Sequence, residues 1–280
     1  MANIPITFSE IANLTGPPYS IAGDCVKFGS AAMQSDKYIT VCEGTGLAIV
    51  DLGAGNGCTR QKMSAEAAIM NPVSKVIALR AGQVLQIFNL ELRSKMKSHS
   101  MNEPVIYWTW TSPNSIALVT QTAVFNWSID GDSQPTKVFD RNPQLGSSQI
   151  IDYKVSVDGK WCLLAGISKG TGSEINGDMQ LYSTEKAVSQ MLQGHAGAFG
   201  TLRPPGRSDE AQVLCFEQKQ PGQPAKLFIM EIGRDKTAPG GVFRVTPQPI
   251  PMAPDAANDF PVTMTFSRKH GIVYMISKMG

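Results

Sequence analysis

The chain has 280 residues, of which 42% are hydrophobic and 17% charged, and its formal net charge at pH 7 is +2. This composition provides enough apolar side chains for a sizeable core and excludes a globally disordered chain. The small net charge argues against a nucleic-acid-binding protein, since such proteins hold phosphates through a broad basic surface.

Short apolar runs separated by turn residues recur along the chain, and helical periodicity is almost absent. This pattern predicts an all-β fold. The predicted strands, in chain order, are Asp36–Cys42, Leu47–Leu52, Lys75–Leu79, Gln83–Phe88, Ser115–Thr120, Ala123–Trp127, Lys160–Ile167, Met179–Ser183, Gln212–Phe216, Lys226–Glu231 and Gly271–Ile276. Most of them form pairs, and short turns such as Ala81-Gly82 and Gln121-Thr122 join the members of a pair.

The strand groups recur at a regular distance. Their most apolar strands are centred near Ile77, Ala117, Leu163, Leu214 and Val273. A spacing of about 40 to 60 residues is typical of β-propeller blades, each a four-stranded sheet around a central axis. A β-sandwich would place strands every 8 to 12 residues or so without this grouping, and is less favoured. The proline-rich segments Arg203–Gly206 and Pro247–Pro254 fit blade connections, so we expect residues 1–280 to form one domain.

Targeting and metal signals are weak. The segment Met1–Ala12 has no cationic start followed by an apolar run, so it does not match a secretory signal. No stretch approaches the roughly 18 apolar residues of a membrane span. The 5 cysteines form no C-x-x-C pair, which predicts reduced thiols rather than disulfides or a zinc site. We therefore expect no metal and no other cofactor.

One segment suggests an enzyme. The run Ala48–Gly57 resembles the glycine-rich first motif of S-adenosylmethionine-dependent methyltransferases, in which a helix follows the glycines. Here Cys58–Lys62 forms no amphipathic helix and no βαβ alternation follows, so a loop between strands is favoured. The 3 histidines are far apart and form no catalytic motif, and His195 fits a structural role. We expect a protein without enzymatic activity.

Many segments, in order along the chain, closely resemble the amino-terminal domain of the clathrin heavy chains. The matching segments are Met63–Pro72, Ser74–Leu79, Leu85–Asn89, Ser94–Lys97, Ala117–Thr120, Ser133–Pro135, Val138–Arg141, Met179–Ser183, Gly194–Ala196 and Asn258–Val262. The resemblance implies a seven-bladed, WD40-like β-propeller. Residues 1–280 would hold about six blades of it and lack the closing strands and the helical leg of the family.

The resemblance also implies a function. The family's propeller is a coat-protein module that binds clathrin-box and related short peptides of endocytic adaptors, on the cytoplasmic face of coated pits and vesicles. Its partners are thus acidic, hydrophobic peptides, with no nucleic acid and no direct membrane insertion. Trimerisation and light-chain binding would require the helical leg. A propeller scaffold of another vesicle coat is the alternative, and a methyltransferase is a more distant one.

The residues themselves indicate a candidate groove. Alternation along a strand gives one face Val84, Gln86 and Phe88, and by the same rule a further face carries Arg93, Lys95 and Lys97. An apolar and amide surface beside cations suits an extended peptide with spaced leucines and an acidic end. The residues alone leave open that Phe88 belongs to the core and that the cations form a solvated face.

The resemblance assigns three sites. The clathrin-box groove would comprise Gln61, Ile77, Val84, Gln86, Phe88, Arg93 and Lys95. An axial pocket for aromatic peptides would comprise Phe28, Gln149, Ile151 and Ile167. A groove between the fourth and fifth blades would comprise Trp161, Leu181, Lys186 and Gln190. The family commonly has arginine at Gln61, threonine at Val84, lysine at Arg93 and arginine at Lys186, so peptide preference is expected to shift.

Overall fold

The computed structural model describes residues 9–53, 57–172, 174–219, 223–235, 237, 241–250 and 259–279. Apart from two 3-10 turns, Gly23–Cys25 and Pro143–Leu145, their regular structure consists of β-strands. The chain divides into two compact units, one of residues 1–120 with 126–136 and one of residues 121–125 with 137–280.

The first unit contains two four-stranded antiparallel sheets in which neighbours in sequence are neighbours in the sheet. The first sheet consists of β1 (Ala31–Met33), β2 (Tyr38–Glu43), β3 (Gly46–Asp51) and β4 (Gly57–Gln61). The second sheet consists of β5 (Ala67–Met70), β6 (Val76–Ala81), β7 (Val84–Asn89) and β8 (Ser94–Ser100). A third sheet of the same order consists of β9 (Tyr107–Ser112), β10 (Ser115–Val119), β11 (Ala123–Ser128) and β12 (Thr136–Asp140).

The second unit repeats this arrangement. Its first sheet consists of β13 (Gln149–Val155), β14 (Trp161–Lys169), β15 (Ile175–Ser183) and β16 (Val188–Gln193). Its second sheet consists of β17 (Gly197–Leu202), β18 (Ala211–Gln218), β19 (Lys226–Glu231) and β20 (Gln248–Pro249). A last pair consists of β21 (Pro261–Ser267) and β22 (Ile272–Ser277).

The all-β prediction is confirmed, and repeated four-stranded antiparallel sheets fit the propeller class. Every predicted strand is present, as the second or third strand of a four-stranded sheet or, for Gly271–Ile276, as β22. The number of blades, and their closure into one domain, stay predictions. The turn predicted at Ala81-Gly82 lies one residue later, at Gly82-Gln83, because Ala81 still pairs with Val84. Gly82 has a φ of 57°, which glycine adopts without the strain of a β-carbon.

Sheets pack through the apolar faces that alternation gives them. In the first unit, one such core joins the first two sheets and consists of Cys42, Leu47, Ile49, Ala68, Met70, Ile77 and Leu79. In the second unit, a comparable core joins β14 and β15 to β18 and consists of Leu163, Ala165, Met179, Leu181, Leu214, Phe216 and Ile232. Each of these two pairs of sheets is therefore joined by an apolar core.

The last hairpin carries apolar residues on both faces of β22. Val273 and Met275 of β22 pack against the core of the β17–β20 sheet. Tyr274 and Ile276 alternate with them and are 46% and 58% exposed. Among the described residues, β22 pairs with β21 alone.

The thiols are free at all five cysteine positions. Burial raises the pKa of the Cys42 and Cys215 thiols to about 11, so both stay protonated at neutral pH. Within the described part of the chain, no helix is long and apolar enough to cross a membrane.

Candidate functional site

The candidate groove lies in the first unit, along the cleft between the first and second sheets. On β7, Leu85 and Ile87 are fully buried, whereas Gln86 and Phe88 are half-buried and Val84 is 40% exposed. Phe88 is the Cα partner of Ile77 on β6, and Ile77 is fully buried beneath it. Phe88 also packs against the core that joins the two sheets. The face predicted from alternation is therefore the more accessible one, with an apolar base.

The first sheet supplies the other wall of the cleft. Gln61 on β4 is the Cα partner of Leu47, so it lies on the face that packs against the second sheet. A cavity of about 160 Å³ opens here. Its lining residues are Tyr38, Ile49, Asp51, Thr59, Gln61, Met70, Lys75 and Leu90. Of the seven predicted groove residues, Gln61 lines this cavity, which is large enough to hold an aliphatic side chain.

Two cations stand beside Phe88. Lys95 on β8 is the Cα partner of Phe88, and Arg93 lies in the turn that joins β7 to β8. Both side chains are exposed. Within the part of the chain that the structure describes, neither makes an ion pair or a side-chain hydrogen bond. Their charges are therefore available to a ligand.

The turn carrying Arg93 is rigid. The Asn89 side-chain oxygen accepts hydrogen bonds from the backbone N–H groups of Glu91 and Leu92, at 3.0 and 2.9 Å. Lys75 forms a 4.0 Å ion pair with Glu91. Arg93 itself has a φ of 50°, a left-handed conformation that non-glycine residues adopt at a cost.

Because this conformation favours glycine, a substitution by glycine removes the Arg93 charge with little change in the stability of the turn. Replacing Arg93 with glycine relieves about 1 kcal/mol of strain but increases the entropy of the unfolded chain by a similar amount. We expect urea titration of Arg93→Gly to show a free energy of unfolding changed by less than about 1 kcal/mol. Peptide titration of the same variant should show a lower affinity for an acidic peptide. Ala187 has the same conformation at the matching position of the β15–β16 turn, with a φ of 51°, and Ala187→Gly is the control. A peptide affinity unchanged in Arg93→Gly would contradict the assignment of Arg93 to the groove.

The predicted row of three cations is wrong at Lys97. The pairing of β7 with β8 shifts between Ile87 and Phe88, so that Ile87 lies opposite Lys97 and Phe88 opposite Lys95. This is a β-bulge, with Met96 as the extra residue. Cross-strand partners share a face, so Lys95 lies on the face of Phe88 and Lys97 on the opposite one. Strict alternation cannot reveal a bulge, because a bulge breaks the two-residue period locally.

The residues of the predicted axial pocket are found in two places. Phe28 belongs to the first unit and is 63% exposed. Gln149 and Ile167 are Cα partners on β13 and β14 of the second unit, and Ile151 packs against the core between β14 and β18. The shared pocket stays a prediction.

The residues of the predicted groove between the fourth and fifth blades lie along the boundary between the two four-stranded sheets of the second unit, here called the second cleft. Trp161 and Leu163 lie two residues apart on β14 and therefore share a face. Leu181 is the Cα partner of both Leu163 and Gln190, so Leu181 and Gln190 lie on that face too. The Trp161 ring lies against Gly233, where a β-carbon would come within 3.5 Å of its Nε1 atom.

Lys186, the cation of this second cleft, lies in the β15–β16 turn. The pKa of the Asp235 carboxyl is lowered, chiefly by hydrogen bonds from the N–H and hydroxyl of Thr237 and further by the Lys186 charge. The Asp235 carboxylate therefore lies within electrostatic range of this cation. The second cleft is correspondingly less suited to an acidic ligand.

The enzyme alternative fails at its first structural requirement. A strand, β4, begins at Gly57, where a methyltransferase would begin a helix. Residues 54–56 of the glycine-rich segment lie outside the described residues. The sheets are antiparallel, whereas the cofactor fold of that class is built on parallel strands.

The structural interpretation of His195 is confirmed. Its ring is 2% exposed, with Nε2 2.8 Å from the carbonyl oxygen of Ile175 and Nδ1 3.3 Å from Oε2 of Glu217. The ring also stacks on Phe260 with the centroids 5.0 Å apart. Both ring nitrogens are therefore engaged, and solvent does not reach them.

Comparison with known proteins gives the context of these sites. No protein-family model matches the chain. The chain is 43% identical to clathrin heavy chain 2 of Homo sapiens over 284 residues, covering 99% of this chain and 17% of that protein. Identity to the clathrin heavy chain of Drosophila melanogaster is 42% over 283 residues, covering 99% of this chain and 16% of that protein. Identity to clathrin heavy chain 1 of Arabidopsis thaliana is 39% over 295 residues, covering 100% of this chain and 17% of that protein.

The resemblance to clathrin heavy chains is confirmed along nearly the whole chain, which spans only 16–17% of the length of these relatives. These relatives are named as clathrin heavy chains and none of them as an enzyme. Among solved structures, the N-terminal domain of Nup159 aligns with 88% of this chain and 72% of its own, with 11% identity and a TM-score of 0.47.

Proposed function

We propose, from this homology to clathrin heavy chains, that the chain acts as a coat-protein module that captures short acidic, hydrophobic peptides of endocytic adaptors. In this proposal it works on the cytoplasmic face of coated pits and vesicles, in vesicle-mediated transport. The peptide lies in the cleft between the first two sheets.

The observation that carries the proposal is the pairing of Phe88 with Lys95 across β7 and β8, beside a half-buried Gln86. An apolar ring, an amide and an unpaired cation thus occupy neighbouring positions along one open cleft. Extended peptides use this combination, since apolar pockets hold alternate side chains and polar groups fix the backbone. The nearby cations attract the carboxylate end of the peptide and speed its arrival.

The cavity beside Gln61 gives the peptide an anchor point. Its wall is largely apolar, from Ile49, Met70 and Leu90, which suits a leucine side chain. Burying one such side chain contributes about 1.5 to 3 kcal/mol, whereas ordering a flexible peptide costs about 2 to 5 kcal/mol. A few anchors therefore give weak binding to one peptide. Weak binding suits a coat, because many linked contacts raise avidity by about 10² to 10⁴.

The two further sites belong to the same proposal. The second-unit cleft at Trp161, Leu181, Lys186 and Gln190 would take a less acidic hydrophobic peptide, because the Asp235 carboxylate adds a negative charge within electrostatic range of Lys186. Phe28, Gln149, Ile151 and Ile167 would bind an aromatic-rich peptide, and the exposure of Phe28 is compatible with that role.

The test is calorimetric titration with a peptide of the form Leu-hydrophobic-x-hydrophobic-Asp. Truncating a hot-spot side chain at the centre of an interface costs about 2 kcal/mol or more, so the double variant Gln86→Ala with Phe88→Ala should bind at least about tenfold more weakly. Gln144→Ala with Val157→Ala, which changes two exposed residues of the second unit, is the matched control and should bind like the unmodified chain. Wild-type affinity in a folded Gln86/Phe88 variant would refute the proposed groove.

A further inference from the structure

The ammonium group of Lys97 occupies a polar cage in the first unit. Lys97 Nζ donates to the carbonyl oxygens of Ser128 and Ser133, at 2.9 and 3.1 Å, and to the Ser133 hydroxyl at 2.9 Å. A longer contact of 3.4 Å reaches the carbonyl oxygen of Asp130. The group also lies 5.7 Å from the centroid of the Trp127 ring, within the range of a cation–π interaction. The acceptors are mainly backbone carbonyl groups of the segment from Ser128 to Ser133, which wraps around the lysine.

The cage holds an outer strand that has few other constraints. Among the described residues, β8 pairs only with β7. Burial lowers the pKa of Lys97, and the charges of Asp132 and Asp130 oppose that effect. The Ser133 hydroxyl lies 3.0 and 3.1 Å from the carbonyl oxygens of Ser128 and Asp130 and donates its single proton between them, so the loop is closed on itself around the ammonium group. Lys97 therefore ties β8 to a preformed loop.

The bulge decides which side chain of β8 faces the cleft. If β8 kept the Ile87–Lys97 pair and continued in regular register, Met96 would lie opposite Phe88 and Lys95 opposite Asn89. Lys95 would then turn to the opposite face, and a thioether would replace its ammonium group in the cleft. The observed register instead presents the cation beside Phe88.

We propose that Lys97 is a positioning residue for the peptide site: its anchorage in the Ser128–Ser133 cage maintains the bulge at Met96 and so keeps Lys95 facing the cleft. This inference rests on the proposed function for its consequence, the recognition of acidic peptides. The anchorage itself is a property of the free chain.

The test compares two peptides that differ only in a terminal Asp or Asn. The ratio of their dissociation constants measures how far the cations discriminate the carboxylate. An exposed charge pair is worth about two- to fivefold in affinity, so the unmodified chain should prefer Asp by roughly that factor. Lys97→Met keeps the length of the side chain but removes its charge. We expect it to reduce the ratio toward 1 while affinity for the Asn peptide changes less than about twofold. Lys97→Arg, which keeps the donors, should recover part of the ratio.

Hydrogen exchange gives a readout that needs no peptide. In Lys97→Met, the amides of Ser94–Ser100 should exchange faster than in the unmodified chain, while those of β2 and β3 should not change. Ser133→Ala removes one acceptor of the cage and serves as a milder variant should Lys97→Met fail to fold. Lys95→Met removes the cation itself and gives the reference value of the ratio in the absence of the Lys95 charge.

An unchanged ratio together with unchanged exchange in Lys97→Met or Ser133→Ala would overturn the inference. If the unmodified chain bound neither peptide, the proposed function would fail by itself, and exchange within β8 alone would then decide whether Lys97 fixes the strand.

Discussion

Replacing Gly177 with alanine is expected to destabilise the second unit by at least about 1 to 3 kcal/mol, the usual cost of adding a methyl group to a packed core. A β-carbon at Gly177 would lie 2.5 Å from the carbonyl oxygen of Gly194 and 2.6 Å from Cγ of His195. Neither neighbour can move freely. Gly194 donates its N–H to the Gly177 carbonyl, and His195 is held from both sides by Ile175 and Glu217.

The change is measured by urea or thermal unfolding of Gly177→Ala. The control is Gly44→Ala, because a β-carbon at Gly44 meets nothing within 4 Å and its backbone needs no left-handed conformation. Gly44→Ala should be neutral or stabilise the chain by a few tenths of a kcal/mol to about 1 kcal/mol. Equal stabilities of the two variants would contradict the tight packing around His195.

Replacing Arg207 with methionine is expected to lower the Tm at neutral pH far more than at acidic pH. Arg207 contacts two carboxylates, with 2.8 Å from Nη1 to Oε2 of Glu231 and 2.5 Å from Nη2 to Oδ2 of Asp209. Its side chain is 11% exposed, and that of Glu231 is 3% exposed. The Met variant therefore leaves a buried carboxylate with one cation fewer, which is strongly unfavourable.

The pH dependence follows from the two carboxyl groups. The hydrogen bond from Arg207 holds the pKa of Asp209 well below its usual range. Burial acts to raise the pKa of Glu231, but hydrogen bonds from Arg207 and from the N–H of Phe243 outweigh it and lower that pKa. Groups with a depressed pKa stabilise the folded state above their unfolded pKa of about 4, and this contribution is lost as the pH falls through the folded pKa.

The Tm difference between Arg207→Met and the unmodified chain should therefore be largest near pH 7 and shrink as the pH falls below about 4. Arg268→Met is the control, since its partner Glu210 and Arg268 itself are 53% and 65% exposed and should contribute little at any pH. A difference that stays constant from pH 7 to pH 2 would show that the network contributes through packing rather than charge.

The central strands of each sheet were predictable because they carry the apolar material. Leu85 and Ile87 of β7, for example, are fully buried and flank a polar residue, which gives a clear two-residue period. The first and last strands of the sheets were missed for opposite reasons. β8 is largely exposed and polar, so hydrophobic periodicity is absent from it. β5 has four buried residues in a row and is too short for periodicity to identify.

The candidate site was predictable in part. Alternation alone brings Gln86 and Phe88 to one accessible face, as the structure has them. The cavity beside Gln61 could not be anticipated from local pattern, since its lining comes from two sheets and depends on their packing. The position of Lys97 was not predictable because its acceptors lie about 30 residues further along the chain, at the end of β11 and in the loop that follows it.

The bulge in β8 lets two lysines that are two residues apart project from opposite faces of the strand. A point substitution at Met96, which is 45% exposed, should leave the neighbouring lysines where they are. Deleting Met96 would remove the bulge and leave Lys95 opposite Phe88 and Lys97 opposite Ile87, because adjacent residues of a regular strand project to opposite faces. A homologous chain with one residue fewer at this position would therefore carry the same cation in the cleft on a regular strand.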